Sequence, residues 1–236
     1  MLSTGSVALK HMNKKILAFG VIMIIMTLYM SMFEIMNVKP IVLRDPIRVA
    51  CVGDSITQGS GYPAKLQLLL GTNYCVSNFG VSGSTVTLNS TKPYMDQTAF
   101  QKAQQFYPTV VVIMLGTNDA RTDLNENESS ESFEDAYSEL VSSFQDHDSN
   151  PQIFVVDSPP IFTSNPVYNS TFLSDNVIPQ VDAVANNFSL PTINVNSAFG
   201  NHTDYFRDGV HPNSEGAALI ASQVDSAIVT RENSYH

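Results

Sequence analysis

The stretch Val49-Ala50-Cys51-Val52-Gly53-Asp54-Ser55-Ile56-Thr57-Gln58-Gly59 starts as a strand and stops abruptly. Residues 49–52 are small, apolar and in part β-branched, which suits a buried strand. Gly53 then frees the backbone, and Asp54 and Ser55 offer side-chain oxygens to the next N–H groups, as residues that open a helix do. A serine at the point where a strand leaves the core stands at the edge of a sheet, where loops carry chemistry. Read alone, Ser55 is equally well a helix cap.

Outward from this point the pattern alternates. Residues 47–52 and 74–78 read as strands around a helix over 62–70, with Pro63 in its first turn. A short helix over 98–106 ends at Tyr107-Pro108. The run TVVVIML over 109–115 is continuously apolar, as in a strand covered on both faces. A helix over 132–145 spaces Phe133, Tyr137, Leu140, Val141 and Phe144 along one face, and a strand follows over 153–157. Beyond a Pro-rich loop over 158–171, the pattern predicts a helix over 174–187 starting at Ser174 and Asp175. The last strand is expected over 192–195 and a closing helix over 214–230. Five β-α alternations predict an α/β fold with a five-stranded parallel sheet between two helical layers, and ligands bound beyond the carboxyl ends of the strands.

The N-terminal part differs. Residues 16–33, ILAFGVIMIIMTLYMSMF, are eighteen residues without charge, preceded by Lys10, Lys14 and Lys15 and followed by Glu34. That length just spans a bilayer core of about 30 Å, and the flanking charge favours a cytoplasmic N-terminus. The expected organisation is a cytoplasmic tail over 1–15, a transmembrane signal anchor over 16–33, a stem over 34–46 with Pro40 and Pro46, and an α/β domain over 47–236. A cleaved signal peptide, giving a secreted protein, and a buried core helix remain alternatives. Five N-x-[ST] sequons begin at Asn89, Asn127, Asn169, Asn187 and Asn201, which fits a glycosylated extracellular or luminal domain. A formal net charge of −10 argues against nucleic-acid partners, which require clustered Lys and Arg. Export would permit a Cys51–Cys75 disulfide, but buried thiols are the expectation, because bridges between adjacent parallel strands strain easily.

Three polar, glycine-bearing clusters follow the first three strands: Gly53-Asp54-Ser55, Asn78-Phe79-Gly80-Val81-Ser82-Gly83 and Gly116-Thr117-Asn118-Asp119. A fourth, Asp208-Gly209-Val210-His211-Pro212-Asn213, precedes the closing helix. In a parallel sheet the first three meet along one edge. A serine hydroxyl needs a base to take its proton, and His211 is the one histidine lying three residues after an aspartate. Asp208 can hold its imidazole in one tautomer, while backbone N–H groups at glycine turns and an Asn amide suit a developing oxyanion.

GDSITQG, NFGVSGST, GTND and DGVHPN resemble, in order, the four sequence blocks of the SGNH hydrolases, the GDSL-type esterases and lipases. The resemblance covers residues 47–230 and implies their flavodoxin-like three-layer α/β/α fold. It also implies Ser55, His211 and Asp208 as the catalytic triad, and Ser55 N–H, Gly83 N–H and the Asn118 amide as oxyanion donors. Gly83 fits the second-block position as the sixth residue from Asn78, and Asp54 is expected to tie the loop down rather than react. The chemistry calls for no metal or cofactor. Within the family, the chain is most similar to small carbohydrate acetylesterases, including sialate O-acetylesterase-like domains, through Lys92-Pro93-Tyr94, Pro159-Pro160 and DGVHPNSEGAALIA. No long apolar insertion offers a lid over a fatty chain, so a short acyl ester on a small molecule or glycan is the expected substrate. A lysophospholipase or broad lipid esterase and a membrane-anchored glycan-binding protein without activity are the alternatives. Gly59-Ser60-Gly61-Tyr62-Pro63-Ala64 fits the dinucleotide pattern poorly, because its strand has already ended. His202, Asp204, Asp208 and His211 match no standard metal-ligand spacing, and G-x-S-x-G is absent.

Overall fold

In the computed structural model, residues 16, 18–32, 45–123 and 133–233 are described, and the chain divides into two compact units, Met1–Arg44 and Asp45–His236. In the first unit, Ile16 and residues 18–32 are helical with exposed side chains. The anchor expected over 16–33 falls partly outside the described residues, and among the described residues no helix is long and apolar enough to cross a membrane. Leu17 and Phe33, the tail over 1–15 and the stem over 34–44 lie outside the described residues.

The second unit is built on β1 (Ile47–Gly53), β2 (Tyr74–Gly80), β3 (Val110–Met114), β4 (Gln152–Val156) and β5 (Thr192–Ile193). All are parallel, in the order β2-β1-β3-β4-β5. The side-chain period of two divides the apolar runs between two faces. Ala50, Val52, Val111, Ile113, Ile153 and Val155 face a core with Tyr137, Leu140, Val141, Phe144 and Val181. Val49, Cys51, Val110, Val112, Met114, Phe154 and Val156 face the other, with Tyr62, Leu66, Ala217, Ile220, Val224 and Ile228. The helices are α1 (Ser55–Gly59), α2 (Tyr62–Leu70), α3 (Thr98–Gln105), α4 (Phe133–Gln145), α5 (Ile178–Asn187), α6 (Val195–Phe199) and α7 (Ser214–Asn233). Thus α3, α4 and α5 cover one face, and α2 and α7 the other. The three-layer α/β/α architecture and its five-stranded parallel sheet are those expected.

Boundaries shift where local hydrogen bonding overrides strand or helix periodicity. The strand expected over 192–195 ends at Ile193, because Asn194 caps α6 by accepting from the Ser197 N–H at 2.8 Å. The helix expected from Ser174 starts earlier, at Ser170, under the cap of Asn169, which accepts from the Phe172 N–H at 2.9 Å. Leu173–Val177 is then π-helical, with the Ile178 N–H bonded back to the Leu173 carbonyl. Pro179 has no N–H for the regular bond to residue 175, so the helix repacks its ladder just before the proline. Cys51 lies opposite Asn78, and Cys75 opposite Arg48. An offset of three residues puts the cysteines about 10 Å apart along the strands, and both are free thiols.

Candidate active site

β1 and β2 both run on to glycines, which pair as Gly53 and Gly80. The reason is clearance. A Cβ on Gly80 would lie 2.4 Å from the Gln58 nitrogen and 2.8 Å from the Asp54 carbonyl oxygen, so only glycine lets the β2 backbone pass under α1. Asp54 caps α1, its Oδ1 accepting from the Ile56 N–H at 2.8 Å. Ser55 is the first residue of α1, where helical N–H groups have no partner within the helix.

His211 reaches this serine from 156 residues further along the chain: Ser55 Oγ and His211 Nε2 are 3.0 Å apart. Asp208 Oδ2 lies 2.7 Å from His211 Nδ1. Its Oδ1 accepts the backbone N–H groups of Val210 at 3.0 Å and His211 at 2.8 Å. One carboxylate therefore shapes the loop and orients the ring it carries. Burial pushes the Asp208 carboxyl up, but the backbone and side-chain bonds from His211 and the Val210 N–H outweigh it and hold the group at about 2. Gly209 has φ +81°, and a Cβ there would lie 2.6 Å from the Thr163 nitrogen. The Phe162 N–H donates to the Gly209 carbonyl at 2.7 Å, bracing the His211 loop against the Pro-rich loop.

Asp54 is buried, and desolvation drives its carboxyl up to about 7, against the Ile56 N–H and the nearby His211. Its Oδ1 bond to the Ile56 N–H closes the turn that opens α1. Asn118 is buried too. Its Nδ2 donates to the Ser84 carbonyl at 3.0 Å and reaches Asp54 Oδ2 at 3.4 Å. Asn118 thus joins the first and second clusters at the edge of the sheet, its amide turned to protein acceptors in this state. Gly83 has φ +78°. The Ser82 N–H goes to Gln58 Oε1 and the Ser84 N–H to the Val81 carbonyl, and the Gly83 N–H has no acceptor among the described residues.

One organising residue had no role in the sequence reading. Asp119 is buried, and its carboxylate accepts from the Val86 N–H (3.0 Å to Oδ2), the Thr87 N–H (2.9 Å) and the Thr87 hydroxyl (2.7 Å). It clamps the loop after β2 to the end of β3. Burial raises its carboxyl, and the bonds from Thr87 and Val86 oppose the rise. Its signal in the sequence was its place directly after Asn118.

The remaining motifs have structural explanations. Ser60 Oγ accepts from the Tyr62 N–H at 3.2 Å, and Gly61, at φ +87°, precedes α2, so these residues form a helix junction. His202 stacks on Tyr205, with ring centroids 4.6 Å apart, while His211 turns to Asp208 and Ser55; among the described residues no group of His, Cys, Asp and Glu could hold a metal. Asn89, Asn169, Asn187 and Asn201 are exposed, and the sequon at Asn127 lies outside the described residues.

Residues 51–219 match the GDSL-like lipase/acylhydrolase family, and the chain belongs to it, which places it among the carboxylic ester hydrolases. An acetylxylan esterase of Xylanibacter ruminicola is 34% identical over 210 residues, covering 78% of this chain but only 44% of that protein. The chain thus corresponds to less than half the length of that relative. A solved acetyl xylan esterase superposes with a TM-score of 0.64 at 20% identity, over 77% of this chain and all of that one. A GDSL-like lipase of Bacteroides thetaiotaomicron gives 0.58 at 22% identity, over 80% and 93% of the two chains. A lipase/acylhydrolase of Enterococcus faecalis gives 0.61 at 20%, over 78% and 96%. At such identities the solved structures speak for the fold.

Proposed function

We propose that the domain is a serine esterase that removes short acyl groups, acetyl foremost, from hydroxyls of carbohydrates. The observation that carries this is the unbroken line from Asp208 through His211 to Ser55, at 2.7 and 3.0 Å. His211 takes the Ser55 proton as Oγ attacks the ester carbonyl. Asp208 keeps the proton on Nδ1, so that Nε2 accepts, and balances the imidazolium that forms. The oxyanion is received by the Ser55 and Gly83 N–H groups and by the Asn118 amide, which swings from its long contact with Asp54 Oδ2. His211 then protonates the departing sugar hydroxyl. Water, deprotonated by the same imidazole, cleaves the acyl-enzyme to release acetate.

The acetyl preference is supported by the acetylxylan esterase relative and by the lack of an apolar insertion for a lid. In this reading the apolar N-terminal segment serves export, either as a cleaved signal or as a retained anchor. The test is hydrolysis of p-nitrophenyl esters from two to sixteen carbons, with Ser55→Ala as control. Fast turnover of the acetate, lost in Ser55→Ala, is expected. Turnover that persists in Ser55→Ala, or favours the palmitate ester, refutes the proposal.

A further inference from the structure

The loop after β2 carries one cation whose position no part of this mechanism uses. Lys92 Nζ donates to the Ser82 carbonyl at 2.8 Å. That carbonyl belongs to the peptide unit whose other end is the Gly83 N–H. The Lys92 stem runs alongside: its Cδ lies 3.9 Å from where a Gly83 Cβ would sit. We propose that Lys92 is a positioning residue of the oxyanion hole, gripping the oxygen of the 82–83 peptide so as to aim and strengthen its N–H. The proposal rests on Gly83 being an oxyanion donor, as read above.

In a trans peptide, C=O and N–H are coplanar and point in opposite directions. Fixing the oxygen therefore fixes the direction of the N–H. This matters at a residue with φ +78°, where glycine has wide backbone freedom. The bond is charge-assisted, hence stronger than a neutral one. It also draws electron density toward the oxygen, which makes the N–H a better donor, and such polarisation adds about 10–30% per bond. The neighbouring peptide units are held as well, the Ser82 N–H by Gln58 Oε1 at 2.9 Å and the Ser84 N–H by the Val81 carbonyl at 3.1 Å.

The grip starts from a fixed base. The Lys92 N–H donates to Ser90 Oγ at 3.2 Å, and the Lys92 carbonyl accepts from the Thr85 N–H at 3.1 Å. Two residues on, the Tyr94 N–H donates to the Thr85 carbonyl at 2.9 Å and the Tyr94 hydroxyl to the Phe79 carbonyl at 2.8 Å. None of these bonds involves the ammonium, so the loop keeps its shape when the charge is removed. This separates a role in positioning from one in closing the loop.

The experiment compares Lys92→Met and Lys92→Arg with the wild-type full chain in two assays. One is p-nitrophenyl acetate hydrolysis. The other is the rate at which a p-nitrophenyl alkylphosphonate labels Ser55, followed by mass spectrometry. In the labelling, Oγ forms the bond to phosphorus, p-nitrophenolate leaves and His211 takes the proton, so the rate reports the oxyanion hole without turnover. Deleting an oxyanion donor outright costs about 10²–10³ in kcat. Lys92→Met, which keeps the donor but frees its peptide, is expected to lose about tenfold in kcat and in labelling rate. KM and thermal midpoint should hold, and Lys92→Arg should recover most of the loss. Rates within about twofold of wild type in Lys92→Met overturn the proposal. A fall in kcat accompanied by a raised KM and a lowered midpoint also overturns it, as loss of a loop tie. A folded wild type that neither turns over nor is labelled refutes the serine esterase itself, and this proposal with it.

Discussion

Asp208→Asn separates the two tasks of one carboxylate. The asparagine Oδ1 still accepts the Val210 and His211 N–H groups, at 3.0 and 2.8 Å in the native loop, so the loop survives. The other end of the side chain becomes an NH₂ group facing His211 Nδ1, where a carboxylate oxygen stands 2.7 Å away. A donor there drives the ring proton to Nε2, which then faces Ser55 Oγ as a donor and can no longer take its proton. The same exchange in the triad of a serine protease lowers kcat by about 10⁴. The Asp208 side chain here is 55% exposed, so solvent screens its charge, while the tautomer effect is unscreened. The expected loss is therefore about 10³–10⁴ in kcat, or about 4–5.5 kcal/mol of barrier. Because the native carboxyl sits at about 2, it stays charged as pH falls from 8 to 4, and the wild-type acid limb over that range comes from another group. Its contribution to stability is present above its unfolded value of about 3.9 and is lost as pH falls through the folded one. The assay is p-nitrophenyl acetate turnover across pH, with circular dichroism to verify folding. Asp208→Asn turnover within about tenfold of wild type refutes the assigned role.

Two further substitutions test the frame of the site. Gly80→Ala places a methyl 2.4 Å from the Gln58 nitrogen and 2.8 Å from the Asp54 oxygen, both backbone atoms that cannot rotate away. It should cost about 1–3 kcal/mol and displace Ser55; an unchanged denaturation midpoint with full activity would show that α1 yields freely. Asp157 is buried, neither of its oxygens has a hydrogen-bond partner among the described residues, and desolvation followed by Asp182 lifts it to about 7. A carboxyl raised on folding costs stability increasingly as pH rises from its unfolded value toward the folded one. Asp157→Asn should therefore gain on wild type in thermal midpoint from pH 4 to pH 8, and a constant gap between the two refutes the burial argument.

Much of this was legible in the sequence because it is local. Residues 109–115 read as a doubly covered strand from their apolar run, which the structure realises as Val110–Met114, and the helix over 62–70 was legible with Pro63 in its first turn. The glycine-bearing clusters marked the strand ends because turns and caps depend on side chains a few residues away. The spacing of Asp208 and His211 likewise kept that pair within one loop. Where two local signals competed, the reading slipped: Asn194 closed a strand that Thr192 and Ile193 had opened, and Pro179 altered the helix before it.

Contacts between distant segments were decided only in three dimensions. Sheet order sets β1 between β2 and β3. That places Asn118 against Ser84 and Asp54, and Asp119 against Val86 and Thr87. It also sets Cys51 and Cys75 out of register. The reach of Lys92 back to the Ser82 carbonyl and the 156-residue span from Ser55 to His211 belong to the same class. The sequence by itself determined which segments are strands and helices and which residues can react, since caps, turns and periodicity act over a few residues. Tertiary structure alone decided which of those residues meet, because burial on both faces of one sheet fixes strand order and register, and these set the distances on which proton transfer depends.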